Sequence, residues 1–266
     1  MTRKFYQSLF LCFLIAGTQL SANAQKQPSV QENSMYAPQG IRIDGKNKEW
    51  NNTFQANNKR TNLQYTLCND DKNLYLAVKC NDLLSSRKIA GAGLSFSVNI
   101  NGKKDEKESI SLTYPALSSS TNSNPGRGGQ ARGGRGQGGN RMGTKSQPSS
   151  KEKDSIQAAN IKSLLAQAKE IQIKGLKTST DSLISMYNEL GVKAVASMGE
   201  DHVFFYEMAI PLEALGLNQN SKEFAYQLKI NGLSERGAGG FGGAGMNFEE
   251  LMSPTDFWGK YTLARK

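Results

Sequence analysis

Alternation with a period of two constrains this chain more than any other feature. Leu74, Leu76, Val78 and Cys80 fall on one side of a run whose other side carries Tyr75, Ala77 and Lys79. Leu94, Phe96, Val98 and Ile100 alternate with Ser95, Ser97 and Asn99, and Ile110, Leu112 and Tyr114 with Ser109, Ser111 and Thr113. Phe224, Tyr226, Leu228 and Ile230 alternate with Ala225, Gln227 and Lys229. A strand sends successive side chains to opposite faces, so each run predicts a strand with one face in a core and the other toward solvent. Further strands are predicted near Glu170–Leu176, Val192–Met198, Val203–Ile210 and Phe257–Ala264. Strands of this kind separated by polar turns predict a mainly all-β chain, an antiparallel β-sandwich or jelly-roll.

One or two short helices interrupt the pattern. Lys151 to Lys169 places Ile161, Leu164, Leu165 and Ala168 on one side. Asp181 to Leu190 is a second predicted helix, with Leu183, Met186, Tyr187 and Leu190 inward and Gly191 as its stop. Pro211 to Gly216 predicts a single helical turn after a strand. Residues 25–40 are polar, hold Pro28 and Pro38, and are predicted as a linker. Residues 41–266 are predicted as one sandwich domain, interrupted by a low-complexity loop at 118–150. Roughly 200 residues outside the leader, linker and loop suffice for one full core.

That inserted loop explains much of the charge. The chain carries a formal +10, of which Arg3 and Lys4 supply two. Arg127, Arg132, Arg135, Arg141 and Lys145 give the insertion +5 with no acid, so the rest of the chain carries only +3. That is an ordinary surface rather than a footprint for DNA or RNA. The Arg-Gly-Gly units between Pro125 and Met142 resemble RNA-binding boxes, but high glycine and no aromatic residue predict a disordered loop. Arg236 to Gly245 is a second glycine-rich loop, with Phe241.

The first 24 residues predict export. Arg3 and Lys4 precede an apolar run from Ser8 to Ala16, and Ala22-Asn23-Ala24 fits small-x-small cleavage, leaving Gln25 as the mature N-terminus. The run is short for a membrane span, and no other segment is apolar enough for one. A secreted or periplasmic location follows.

After cleavage, Cys68 and Cys80 remain, on two runs joined by Asn69-Asp70-Asp71-Lys72-Asn73. In the hairpin this predicts, the two lie about 20 Å apart, beyond bridging distance, so two free buried thiols are expected. No Cys/His cluster suggests a metal. His202, the single histidine, follows Gly199-Glu200-Asp201 in a predicted hairpin turn. One histidine and no Gly-x-Ser-x-Gly phrase leave no visible hydrolase triad, and the acids fall in turns and strand ends rather than as a catalytic pair. No cofactor is expected. Calcium at Asp70-Asp71 is the weaker reading, with a turn role favoured.

Three phrases carry a resemblance. Ile41-Arg42-Ile43-Asp44-Gly45 leading to Glu49-Trp50 opens the ordered region. A hairpin from Leu67 to Val78 follows, then Asp82, and Tyr206-Glu207-Met208-Ala209-Ile210-Pro211-Leu212 comes near the end. In this order they resemble the family 9 carbohydrate-binding modules and the wider DOMON-like β-sandwich superfamily. The resemblance covers residues 41–114 and about 168–264. It implies a non-catalytic sandwich that binds the terminal sugar of a glycan between two aromatic rings, with calcium in some members. Some DOMON-like relatives hold haem with a Met and a His, which would place His202 in a pocket rather than a turn. The candidate ligand residues are Trp50, Trp258, Asp82, Glu207 and Arg236. Trp50 reads first as a core plug at the sandwich edge, and Glu207 first as a solvent-facing or paired mid-strand carboxylate. No position matches the family's platform tryptophans; Tyr65, Tyr114, Tyr187 and Tyr261 are the available substitutes. The alternative is a cell-envelope interaction protein without a sugar slot, touching anionic surface polymers through its Gly/Arg loops.

Overall fold

The computed structural model describes residues 27–116, 149–235 and 248–266. The leader, nearly all of the insertion, and Arg236 with its glycine-rich loop lie outside these residues. Two antiparallel sheets face each other. The first has the order β1 (Ala56–Asn58), β2 (Leu63–Asn69), β3 (Asn73–Cys80), β9 (Phe204–Pro211), β8 (Lys193–Met198). The second runs β11 (Thr255–Tyr261), β10 (Phe224–Ile230), β4 (Leu94–Asn99), β5 (Ile110–Ala116), β6 (Glu170–Lys174), β7 (Leu183–Ser185).

The core lies where the alternation puts it. Tyr65, Leu67, Leu76, Val78, Tyr206 and Met208 of the first sheet meet Phe96, Leu112, Tyr226 and Leu228 of the second. The sheets are also joined by polar atoms: the hydroxyls of Tyr65 and Tyr226 lie 2.8 Å apart, and the Gln31 backbone N–H donates to Tyr65 at 2.9 Å. Burial raises the pKa of both tyrosines, so both stay neutral donors and acceptors.

Residues 27–40 are not a free linker. β1 is short and pairs only Leu63 to Tyr65 of β2, which leaves the rest of that sheet edge open. The Gln31 carboxamide closes it, donating to the Leu67 carbonyl at 2.7 Å and accepting the Leu67 N–H at 2.8 Å. Ala37 N–H and Met35 carbonyl then pair with Asn69. Two prolines and polar composition suggested a tether; the unmet hydrogen bonds of an edge strand fix the segment instead.

Helix α2 (Ser150–Gln167) forms as its periodicity predicts, with Ser149 capping it and Ala158 and Ile161 buried. The helix expected over Asp181–Leu190 does not form. Its centre is β7, whose Ile184 is buried opposite Ile171, while Leu183 is 43% and Tyr187 78% exposed. Extending the sheet by one strand outweighs a weak helical pattern. Helix α1 (Leu83–Ala92) is an addition, capped by Asp82 and ended at Gly93, with φ of 85°. Helix α3 (Phe248–Met252) is a further short piece, and Glu213–Leu215 makes the predicted helical turn. Among the described residues no helix is long and apolar enough to cross a membrane.

Candidate functional site

The quoted phrases come together on the outer face of the first sheet. Glu207 points outward from the middle of β9, flanked by Ala77 of β3 and Val195 of β8. Its Oε1 accepts the Trp50 indole N–H at 2.7 Å, and Oε2 accepts the backbone N–H of Gly45 at 2.7 Å and of Asp44 at 3.1 Å. Gly45 has φ of +76°, and a Cβ there would sit 2.9 Å from Val195 Cγ1, so only glycine fits the turn. Trp50 and Phe54 complete a second small core with Cys68, Tyr75, Ala77 and Phe205. Burial raises the Glu207 pKa, against the lowering effect of its three donors.

Two expected ligand residues are thereby structural. Trp50 is 4% exposed and Glu207 fully buried, and both carboxylate oxygens are engaged by the hydrogen bonds that hold the strap of residues 44–54. Asp82 is the helix cap, its Oδ2 accepting the Ser85 N–H at 2.8 Å. Asp70 fastens its own turn, accepting from Lys72 and Asn73 N–H and from the Tyr75 hydroxyl, each at 2.7 Å. Burial pushes its carboxyl up, but these donors outweigh it and hold the pKa below the ordinary value. His202 lies in the β8–β9 turn with φ of 61°, as its sequence context predicted. Cys68 and Cys80 are free and buried, on opposite faces of the hairpin, since Cys80 pairs with Leu63 and Cys68 with Tyr75. Of the four tyrosines, Tyr65, Tyr114 and Tyr261 are core and only Tyr187 is exposed.

Trp258 stands apart from Trp50, on the outer face of the second sheet. It opens a transverse row fixed by strand register: Trp258 beside Gln227, then Ser97, Ser111 and Lys174. The next row is Asp256, Lys229, Ser95, Thr113 and Gln172. Serines at the centre are short and the flanking side chains long, so the face is hollow. The hollow is a cleft of about 240 Å³, lined by Ser95, Ser97, Ser111, Gln227 and Asn231, with Lys107, Lys174, Lys229 and Glu106 as its charged groups. Sequence reading found these residues only as the solvent side of four strands; register alone makes them neighbours.

The cleft's polar groups are oriented. Gln227 is 1% exposed, and its Nε2 donates to Glu106 at 2.6 Å and to Asp256 at 2.8 Å. Carboxylates accept and cannot donate, so the amide nitrogen must face them and Oε1 must turn away. That oxygen meets no donor among the described residues. The Gln227 hydrogen bond, together with that from Lys229, holds the Glu106 carboxyl below its ordinary range. Ser95 and Thr113 hydroxyls lie 2.6 Å apart, and Ser97 donates to Ser111 at 3.1 Å. The result is a row of hydroxyls, an unmatched buried acceptor and a half-buried indole on one surface. No protein-family model, curated protein or solved structure matches this chain.

Proposed function

We propose that this chain is an exported, non-catalytic saccharide-binding β-sandwich related to the family 9 carbohydrate-binding modules, with jelly-roll connectivity as the finer form of its fold. The ligand site is the outer face of the second sheet. What carries the reading is the row of outward side chains that joins Trp258 through Gln227 to the hydroxyls of Ser97 and Ser111. A sugar offers hydroxyls on its rim and C–H groups on its faces, and an indole flank beside a hydroxyl-lined floor suits both. The joining of Asp44, Gly45, Trp50 and Glu207 at one point supports the family relation, because it gives the first and last phrases a common physical purpose. The slot between two aromatic rings does not transfer: Trp50 and Trp258 lie on opposite outer faces.

The test is an oligosaccharide panel on residues 25–266 at moderate and high salt, with Trp258→Ala alongside. Salt-resistant binding, weakened about tenfold by Trp258→Ala, is expected. No binding, or binding to acidic polymers alone that fades steeply with salt, would favour the envelope-interaction alternative.

A further inference from the structure

A second polar cleft lies on the far side of the molecule. Where the strap leaves the first sheet uncovered, Asn57 of β1, Gln64 of β2 and Lys79 of β3 form their own transverse row. Asn62, Asn81 and Asp82 close one end, giving a cleft of about 380 Å³. Its chemistry differs from that of the first. Four of its six lining residues carry carboxamides, and its two charges, Lys79 and Asp82, cancel. Both charges are already engaged: Lys79 donates to Asn52 at 3.2 Å and Asp82 caps α1. The amide side chains of Asn57, Gln64 and Asn81 make no hydrogen bond among the described residues. Asparagine is disfavoured within strands, so propensity does not account for Asn57 in β1.

We propose that this cleft is a second binding site, for a neutral saccharide, and that the chain is bivalent. A carboxamide presents an acceptor and two donors on one flat head. Adjacent ring hydroxyls match it, one donating to the amide oxygen and its neighbour accepting from the amide nitrogen. The cleft has no net charge to draw an ionic ligand and no apolar pocket for peptide side chains. The proposal extends the saccharide reading made for the second sheet but uses none of that cleft's residues. Two clefts on opposite outer faces would let one chain hold two glycan strands.

Calorimetric titration with cellohexaose and with mannohexaose tests this, on the wild type, on Gln64→Ala/Asn81→Ala and on Trp258→Ala. Two sites are expected in the wild type. The double variant should lose one by about tenfold or more, with no change in thermal midpoint, since neither side chain holds the fold. Trp258→Ala should lose the other. A single site removed by Trp258→Ala and untouched by the double variant overturns the second cleft and leaves the first standing. A single site removed by the double variant alone overturns the first and leaves the second. No binding of either hexasaccharide overturns the second cleft as a neutral-saccharide site.

Discussion

Replacing Glu207 with alanine should release the strap that covers the first sheet. The carboxylate holds three donors, of which Trp50 Nε1 and Gly45 N–H are in buried residues and Asp44 N–H can turn to water. Two buried donors left without an acceptor cost about 1–3 kcal/mol each, so the expected loss is about 4 kcal/mol. In a domain of this size that lowers the thermal midpoint by about 8–16 °C. Trp50→Phe, which removes one donor and keeps the ring, should cost about 1–2 kcal/mol. The pH dependence has a definite sign. Burial raises the folded pKa of Glu207, while an unfolded glutamate titrates near 4.3. Between those two values the folded chain keeps a proton that the unfolded chain has released. This contribution to stability is therefore full below about pH 4.3 and is lost as pH rises through the folded pKa. Urea midpoints across that window, for wild type and Glu207→Gln, should differ in slope accordingly. A midpoint loss under about 1 kcal/mol in Glu207→Ala would refute the view that this carboxylate anchors the strap.

Other residues give simpler tests. Gln31→Ala strands a buried N–H and carbonyl of Leu67, so chemical unfolding should show a loss of about 2–3 kcal/mol; no loss would return residues 27–40 to the status of a tether. Burial pushes the Cys68 thiol up to about 12 and the Cys80 thiol up to about 11, so neither should react with a thiol reagent at pH 8 until the chain is unfolded. Asp82→Ala removes the α1 cap and should cost about 1 kcal/mol by thermal unfolding, without affecting binding at the Trp258 cleft.

The strands were legible because their alternation is strict: Leu74 to Cys80 and Phe224 to Ile230 face as their sequences require. Less legible were elements fixed by long-range pairing. β7 is held by its partner Ile171 rather than by its own propensity, and Leu183 within it and Tyr187 just beyond it mislead because they face water. The segment of residues 27–40 is ordered by an edge that exists only once β2 is in place. Helix α1 did leave a signal, Asp82 before it and Gly93 after it, but its all-round burial hides the usual apolar stripe. At the site, Trp50 and Glu207 were readable as important and not as partners, since 157 residues separate them. The cleft beside Trp258 draws on four strands and a loop, and no local window of sequence contains it.

The chain has two tryptophans, and they form a natural pair of reporters. Trp50 donates its indole N–H to Glu207 inside the small core, while Trp258 is the cross-strand neighbour of Gln227 on the second sheet. Nitrogen-edited NMR of residues 25–266, titrated with the strongest hit of the oligosaccharide panel, reads both indoles at once. Saccharide binding on the second sheet predicts that the Trp258 indole and the Gln227 side-chain amide shift with the titration while the Trp50 indole stays fixed. A static Trp258 signal under saturating ligand, or movement of Trp50 in its place, would contradict it.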